Sequence, residues 1–384
     1  MNAREDGIYN ILDFGADPSG ATDSTTAIQK AIDAAAGYKG QGGVVLVPPG
    51  IYLSGQLTMR RHVTLKGCGT WGYKTSGSCI LQLNGSDNNV CLVDMTQAFS
   101  STVEDLVLRG NGEEGPLVHG IYIHYDKLGG EGGLKEENLP TVRNCKAEYF
   151  SGDGLHFYNV WCSRIIDSQM RKCRNGLFLR GVDCFMLNCF LSSNQNWGLY
   201  TDQEAGNNSA VVITACRVEW NRKGGFYITG AKDWQIANCS FDRNFGPAIH
   251  CASNHNRRCM HSHSISITGN LFNRNGVEAE GDNNSHLILE EVYNVTTTGN
   301  TFCAGANDDY TGGVYPEYCV VAKELKSVIV ANNVMHNGCT KQLLLDYGAH
   351  FEGENMDFVY RDNLGCPTSP SCYVIKGYYV SQKN

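Results

Sequence analysis

The chain has 384 residues, 44 of them Gly and only 9 Pro, with 42% apolar content; that is ample for a large core, and length alone would suggest two or three domains. The formal net charge of −8, with no basic cluster, argues against a nucleic-acid groove and against a strongly anionic ligand held by charge alone, although local basic residues can still bind one. The amino end, "MNAREDGIYN", has no apolar signal region and no run of about 18 apolar residues follows, so neither a classical export signal nor a membrane span is expected.

The first element is a helix. In "TDSTTAIQKAIDAAA", Asp23 or Ser24 is placed to cap it, and Ala27, Ile28, Ala31, Ile32 and Ala35 recur at helical spacing. Such a helix over the first strands covers an edge whose N–H and C=O groups would otherwise lack partners. The stretch "GGVVLVPPGIYLSG" then begins a long series of short strands.

That series is a repeat. "ACRVEWN" at 215–221 and "NCSFDRN" at 238–244 share a Cys, an apolar residue two places on, a carboxylate at the third place and an Asn at the fifth. Extending the alignment gives anchors at Cys145, Ser168, Cys189, Cys216, Cys239, Asn270, Asn300 and Asn333, with steps of 23, 21, 27, 23, 31, 30 and 33 residues. A period of about 22 residues, lengthened in several coils, points to one structural coil with loop insertions. Two places after each anchor stand Ala147, Met170, Leu191, Val218, Phe241, Phe272, Phe302 and Met335, so both columns face inward by alternation.

Asn194, Asn221, Asn244 and Asn275 mark a tight turn five places after four anchors. A second strand follows with Leu155, Leu177, Leu199, Phe226 and Ile249 inward, and a third precedes the next anchor, as in "DWQIANC". Strand, turn, strand, bend, strand is a parallel β-helix, each coil rising about 4.8 Å. The expected organisation is a capping segment over 1–40, the β-helix over 41–350 and a tail over 351–384, as one structural domain. The 17 Cys are odd in number and follow the repeat, which predicts a reduced internal stack in place of a disulfide framework. Cys366 and Cys372 lie outside it and can pair.

"YNILDFGADPSGATDSTTAIQKAIDAAA" followed by "GGVVLVPPGIYLSGQLTMRRHVTLKGCG" resembles the opening of the pectate-lyase-like superfamily of right-handed β-helices. The later stretch "ITGNLFNRNG…SHLILEEVYNVTTTGNTFCAG" is similar to bacteriophage tailspike proteins within it, and the resemblance runs over about residues 8–347. It implies an all-β, single-stranded right-handed parallel β-helix. It also implies a homotrimer that binds and cleaves a bacterial surface polysaccharide, outside the cell or on a virion tail. The long tailspikes carry an amino-terminal virion-binding domain and a carboxy-terminal trimer domain, neither of which is read in this chain.

The column three places after the anchors alternates outward: Glu148, Arg171, Ser192, Glu219, Asp242, Asn273, Cys303 and His336. Glu219 and Asp242 fall on neighbouring coils. Paired carboxylates, one giving a proton while the other stays ionised, are what glycoside cleavage needs. Trp220 is placed to stack on a sugar and Arg243 to hold an anionic substituent. The plainer reading is that both acids are solvated strand ends paired with Arg217, Arg243 or Lys223.

The outward positions of the second strand read His156, Phe178, Tyr200, Tyr227 and His250, with Trp197 beside them. This is either a glycan-binding ladder or a face covered by a subunit or loop. Asp202 and Glu204 are reserve catalytic carboxylates in a polar loop. Asp308 and Asp309 in "GANDDYTGG" read as an ordinary turn, and His286 as structural. With no P-loop, CxxC pair or Ser-His-Asp signature, no metal or other cofactor is expected. The rival enzyme is a polysaccharide lyase or epimerase acting on a uronic acid, for which His156, His250, Arg171 and Arg243 are available. The non-enzymatic rival is a β-helix that binds glycan without shortening it.

Overall fold

The computed structural model describes residues 6–85, 89–112, 114–126, 139–201, 208–253, 261–309, 311–348 and 358–367. It falls into two compact units, Met1–Phe190 and Leu191–Asn384. Strand pairing from coil to coil within each is parallel, and none of the described helices is long and apolar enough to cross a membrane.

After the short strands Ile8–Asn10 and Ser19–Asp23, the first unit forms helix α1 (Thr25–Ala36), whose Ala27, Ile28, Ala31, Ile32 and Ala35 are buried. It lies against the strands Ile8–Asn10, Val44–Val47 and Leu57–Thr58, as the sequence predicts. Of the two expected caps, Asp23 is the one whose side chain meets the helix. Asp23 Oδ1 accepts the Thr25 N–H at 2.8 Å, while the buried Ser24 hydroxyl makes no capping bond to the helix and accepts the Asp17 N–H at 2.9 Å.

Three sheets then run up the coils. In the first unit, Tyr9, Val45, Leu65, Val103, Val142, Ile165 and Met186 stack along one inner wall, each paired in register with the next. Tyr52, Leu81, Leu108, Ala147 and Met170 line the second. Val93, Ile121, Leu155 and Leu177 line the third. In the second unit the corresponding second wall is Val218, Phe241, Phe272 and Phe302. Ring centroids there are 5.4 Å apart from Phe241 to Phe272 and 4.7 Å from Phe272 to Phe302. Each fully buried side chain of this size contributes about 2 kcal/mol of transfer free energy.

The anchor column is internal and its cysteines are free thiols, but they are more than small apolar fillers. The residue before each anchor turns the chain with positive φ, from 48° at Asn144 to 67° at Gly299. The next anchor's side chain accepts the N–H that follows the turn. Cys216 N–H meets Cys239 Sγ at 3.4 Å, Cys239 N–H meets Asn270 Oδ1 at 2.9 Å, and Asn270 and Asn300 N–H groups continue the chain at 2.9 Å each. Cys, Ser and Asn interchange because each offers an acceptor on a short stem.

The second Asn column behaves alike. Left-handed geometry sits one residue before the expected place, at Ser193, Trp220, Arg243 and Arg274. The asparagines themselves form a buried ladder with amide-to-carbonyl steps of 2.8, 2.9 and 2.8 Å from Asn194 to Asn275. Groups this deep must be paired. The stack ends on His286, whose Nδ1 receives the Asn275 amide at 3.1 Å while Nε2–H reaches Gly338 O at 2.9 Å.

Candidate active site

The outer face of the third sheet in the first unit concentrates the chemistry. Alternation along Leu155–Trp161 buries Leu155 and Phe157 and turns His156 and Tyr158 outward. Parallel register then makes two rows. Tyr122, His156 and Phe178 form one, and His124, Tyr158 and Arg180 the other.

Asp153 precedes this strand between two glycines. A Cβ on Gly152 would lie 2.9 Å from Val118 backbone, and one on Gly154 would lie 2.8 Å from Gly176 O, so the turn packs only without side chains there. This close turn sinks Asp153 to 1% exposure. Its Oδ2 accepts from His156 Nδ1 at 2.8 Å, its Oδ1 accepts the Asn175 amide at 2.7 Å, and its own N–H donates to His119 Nδ1 at 2.9 Å. Burial pushes the Asp153 carboxyl up, but the two imidazoles beside it bring it well below the usual carboxylate range. Burial also lowers the His156 pKa, more than Asp153 raises it. His156 is therefore neutral near pH 7, its Nδ1 proton committed to Asp153 and its Nε2 lone pair on the outer face.

Packing fixes that imidazole. Tyr122 lies at 5.1 Å and 15° on one side, and Phe178 at 4.4 Å and 13° on the other. In the second row His124 stacks on Tyr158 at 4.4 Å. Arg180, itself 8% exposed, donates from Nη1 to Tyr158 Oη at 2.5 Å. A base, a phenol and a guanidinium thus share one face.

The second unit holds the carboxylates singled out in the sequence. Glu219 and Asp242 are register partners on neighbouring strands, as the repeat predicts. They are not solvated: their exposures are 3% and 5%. Arg217 Nε reaches Glu219 Oε2 at 2.7 Å. Two guanidiniums grip Asp242, with Nη2 of both Arg243 and Arg274 2.7 Å from Oδ2. Arg243 in turn stacks over Trp220, its guanidinium carbon 4.4 Å from the ring centroid. The close pair is thereby held by cations. The expected Lys223 pairing does not form among the described residues. Lys223 instead shares a cleft of about 340 Å³ with Trp197, Arg222 and Phe245.

The remaining rings of the predicted ladder are present but less exposed than expected, because each covers its neighbour. Tyr227 packs on Trp197 at 5.2 Å, on Tyr200 at 5.6 Å and edge-on to His250 at 5.2 Å. His250 Nε2 is tied to Glu290 Oε2 at 2.9 Å. Arg171 donates to Tyr73 O at 3.0 Å on the second sheet of the first unit, away from the His156 row. His286 is fully buried. Asp202, Glu204 and Cys372 lie outside the described residues.

His119, Tyr122, His124, Asp153, Tyr158 and Arg180 are absent from the sequence-based candidates. The signal for half of them was there: two places after the first outward column comes a second, His124, Tyr158 and Arg180, in the same register. Asp153 sits in a turn, where alternation is silent, and His119 opens its strand at the edge of the repeat.

Residues 93–259 and 153–302 match the family model described as right handed beta helix region, and residues 8–103 match the one described as rhamnogalacturonase A/epimerase, pectate lyase-like. The chain belongs to the right-handed β-helix family. Within that family it is similar to mannuronan C5-epimerase AlgE2 of Azotobacter vinelandii, 26% identical over 284 residues, which is 70% of this chain and 25% of that protein. The chain thus spans about a quarter of that relative. The A-module of mannuronan C-5 epimerase AlgE6 from the same organism superposes with a TM-score of 0.61 at 18% identity, covering 94% of this chain and all of that module. The Dettilon tailspike protein gives a TM-score of 0.59 at 15% identity, over 89% of this chain and 68% of its own. At such identities both structures speak for the β-helix fold alone.

Proposed function

We propose that this β-helix acts on a uronic-acid-containing polysaccharide by removing the proton at C5, as a lyase or epimerase. The observation that carries the reading is the His156–Asp153 pair, which leaves the His156 Nε2 lone pair on an outer face shared with Tyr158 and Arg180. The sequence likeness to a mannuronan C5-epimerase supports the choice of substrate class.

The chemistry follows from the groups. The C5–H bond breaks and its proton goes to His156 Nε2, while the electron pair delocalises into the adjoining carboxylate. Arg180 neutralises that growing charge. Tyr158, to which Arg180 donates a hydrogen bond, serves as the acid. Delivered to the opposite face of C5, it completes epimerisation. Delivered to the departing O4 as the C4–O bond breaks, it completes elimination. The substrate is an extracellular polymer, so the place of action is outside the cell. Incubation with a panel of polyuronates in deuterated water tests this. Deuterium at C5 or an unsaturated product supports it, and new reducing ends without either would refute it.

A second reading, endoglycosidic hydrolysis by Glu219 and Asp242, rests on their register pairing and on the likeness to a tailspike. With it goes a homotrimer on a phage tail binding a capsule or O-antigen. Light scattering decides the assembly, since a mass of about 42 kDa would exclude a trimer.

A further inference from the structure

The left-handed turn that follows the second sheet carries Trp220, Arg243 and Arg274 on three successive coils of the second unit, with φ of 59°, 53° and 51°. Their register is fixed by the strands before them, where Glu219, Asp242 and Asn273 are aligned partners. These large side chains therefore project from one position, stacked at about 4.8 Å per coil.

Asp242 organises the two arginines. Arg243 Nε and Nη2 reach its Oδ2 at 3.0 and 2.7 Å, and Arg274 Nε and Nη2 reach its Oδ1 and Oδ2 at 3.0 and 2.7 Å. The Trp220 ring supports Arg243 from below. This fixes both guanidiniums with one nitrogen of each, Nη1, directed elsewhere. Both Nη1 atoms converge on a second carboxylate, Asp308. Arg243 Nη1 bonds to its Oδ2, and Arg274 Nη1 to its Oδ1 at 2.9 Å.

The two carboxylates differ in kind. Asp242 has 7% side-chain exposure and Asp308 has 68%. Asp308 sits on the loop of a short hairpin, Gly305–Ala306 with Gly313–Val314. Arg243 and Arg274 against Asp242 alone leave one positive charge, which Asp308 cancels. An arginine pair fixed in advance, with one donor for each oxygen of a carboxylate, is a strong carboxylate cradle. Its present occupant, Asp308, is itself 68% exposed on a hairpin loop, so water and a competing carboxylate can reach it.

We propose that Trp220, Arg243 and Arg274 form a binding subsite for the carboxylate of an acidic sugar, and that Asp308 occupies it as a tethered stand-in until substrate displaces it. The exposed part of Trp220 (36%) gives the sugar ring a wall. This rests on the uronate reading above for its substrate class, but it concerns binding and not proton transfer. A tethered carboxylate competes at an effective concentration in the millimolar range, so removing it exposes the full affinity of the cradle.

The test is calorimetric titration of the whole chain with short oligomers of mannuronate and of galacturonate at low salt, against a neutral oligosaccharide of equal length. Asp308→Ala is expected to tighten binding of a uronate oligomer about 10-fold and to leave the neutral sugar unchanged. Adding Arg274→Lys, which keeps the charge and loses the fork, is expected to abolish the gain. Unchanged uronate affinity in Asp308→Ala, or an equal gain for the neutral sugar, would overturn the proposal, as would a gain that survives Arg274→Lys. Turnover is scored separately with His156→Gln. A gain in binding without turnover by the parent protein would sink only the catalytic reading, and turnover without the gain would sink only this one.

Discussion

His156 Nδ1 and Asp153 Oδ2 are 2.8 Å apart, one on a strand and the other in the turn that leads into it. That short link fixes which imidazole nitrogen is free to take a proton. Replacing His156 by Gln keeps a polar side chain and removes the base, so turnover should fall by about 10² to 10⁴-fold, the usual range for general-base catalysis. Asp153→Asn should fall by about 10²-fold or more with little loss of fold, because an amide cannot enforce the tautomer. Initial rates on a polyuronate check both.

The pH profile should carry the same signature. His156 acts only when neutral, and burial, outweighing Asp153, holds its pKa below 6.5. Activity is therefore present above that value and lost as pH falls through the lowered pKa. An acid limb centred above 6.5 would contradict the assignment.

The carboxylate pair gives a contrasting outcome. Glu219→Gln and Asp242→Asn should leave turnover at saturating substrate within about threefold of the parent if His156 is the base, although Asp242→Asn loosens the arginine cradle and weakens binding. Asp242→Asn should instead cost about 3 kcal/mol of stability, because two guanidiniums lose a buried counter-charge. A loss of about 10²-fold in rate for both variants, with stability intact, would return catalysis to this pair.

His286 should make the second unit acid-sensitive. Burial depresses its pKa from 6.5 to about 4, so the unfolded chain binds a proton that the folded one refuses between those values. Stability from this group is complete above pH 6.5 and lost as pH falls to about 4, by about 3 kcal/mol. Urea unfolding at pH 7 and pH 4 measures it, and His286→Asn should flatten the difference.

The asparagine ladder can be broken at one rung. Asn244 donates to Val218 O and Asn275 Oδ1 and accepts from Asn221. Asn244→Leu strands those buried partners and should cost about 3 kcal/mol or more, read from the urea midpoint.

Much of the fold was legible because a β-helix writes one coil many times. The columns at Val218, Phe241 and Phe272 and the pairing of Glu219 with Asp242 could be counted from the repeat, and the structure places them in that register. What alternation gives is direction, not neighbours. It turns Glu219 and Asp242 outward but does not reveal that Arg274, 32 residues after Asp242, folds back to cover it. Nor does it reach turns, where spacing is irregular: Asp153 meets His119, the first residue of its strand, only because Gly152 lets the Asp153 turn approach. The anchor cysteines were legible as internal and reduced, but their work as acceptors for the next N–H depends on left-handed turns that no side-chain pattern announces.

The most direct test of the central claim is solvent exchange at C5. A polyuronate incubated with the protein in deuterated water and then hydrolysed to its sugars is examined by NMR and mass spectrometry, alongside the His156→Gln variant. Deuterium at C5, or conversion of C5 to an unsaturated centre, is expected with the parent protein and about 10²-fold less of either with the variant. Equal exchange by both proteins, or chain cleavage with every C5 proton retained, would contradict it.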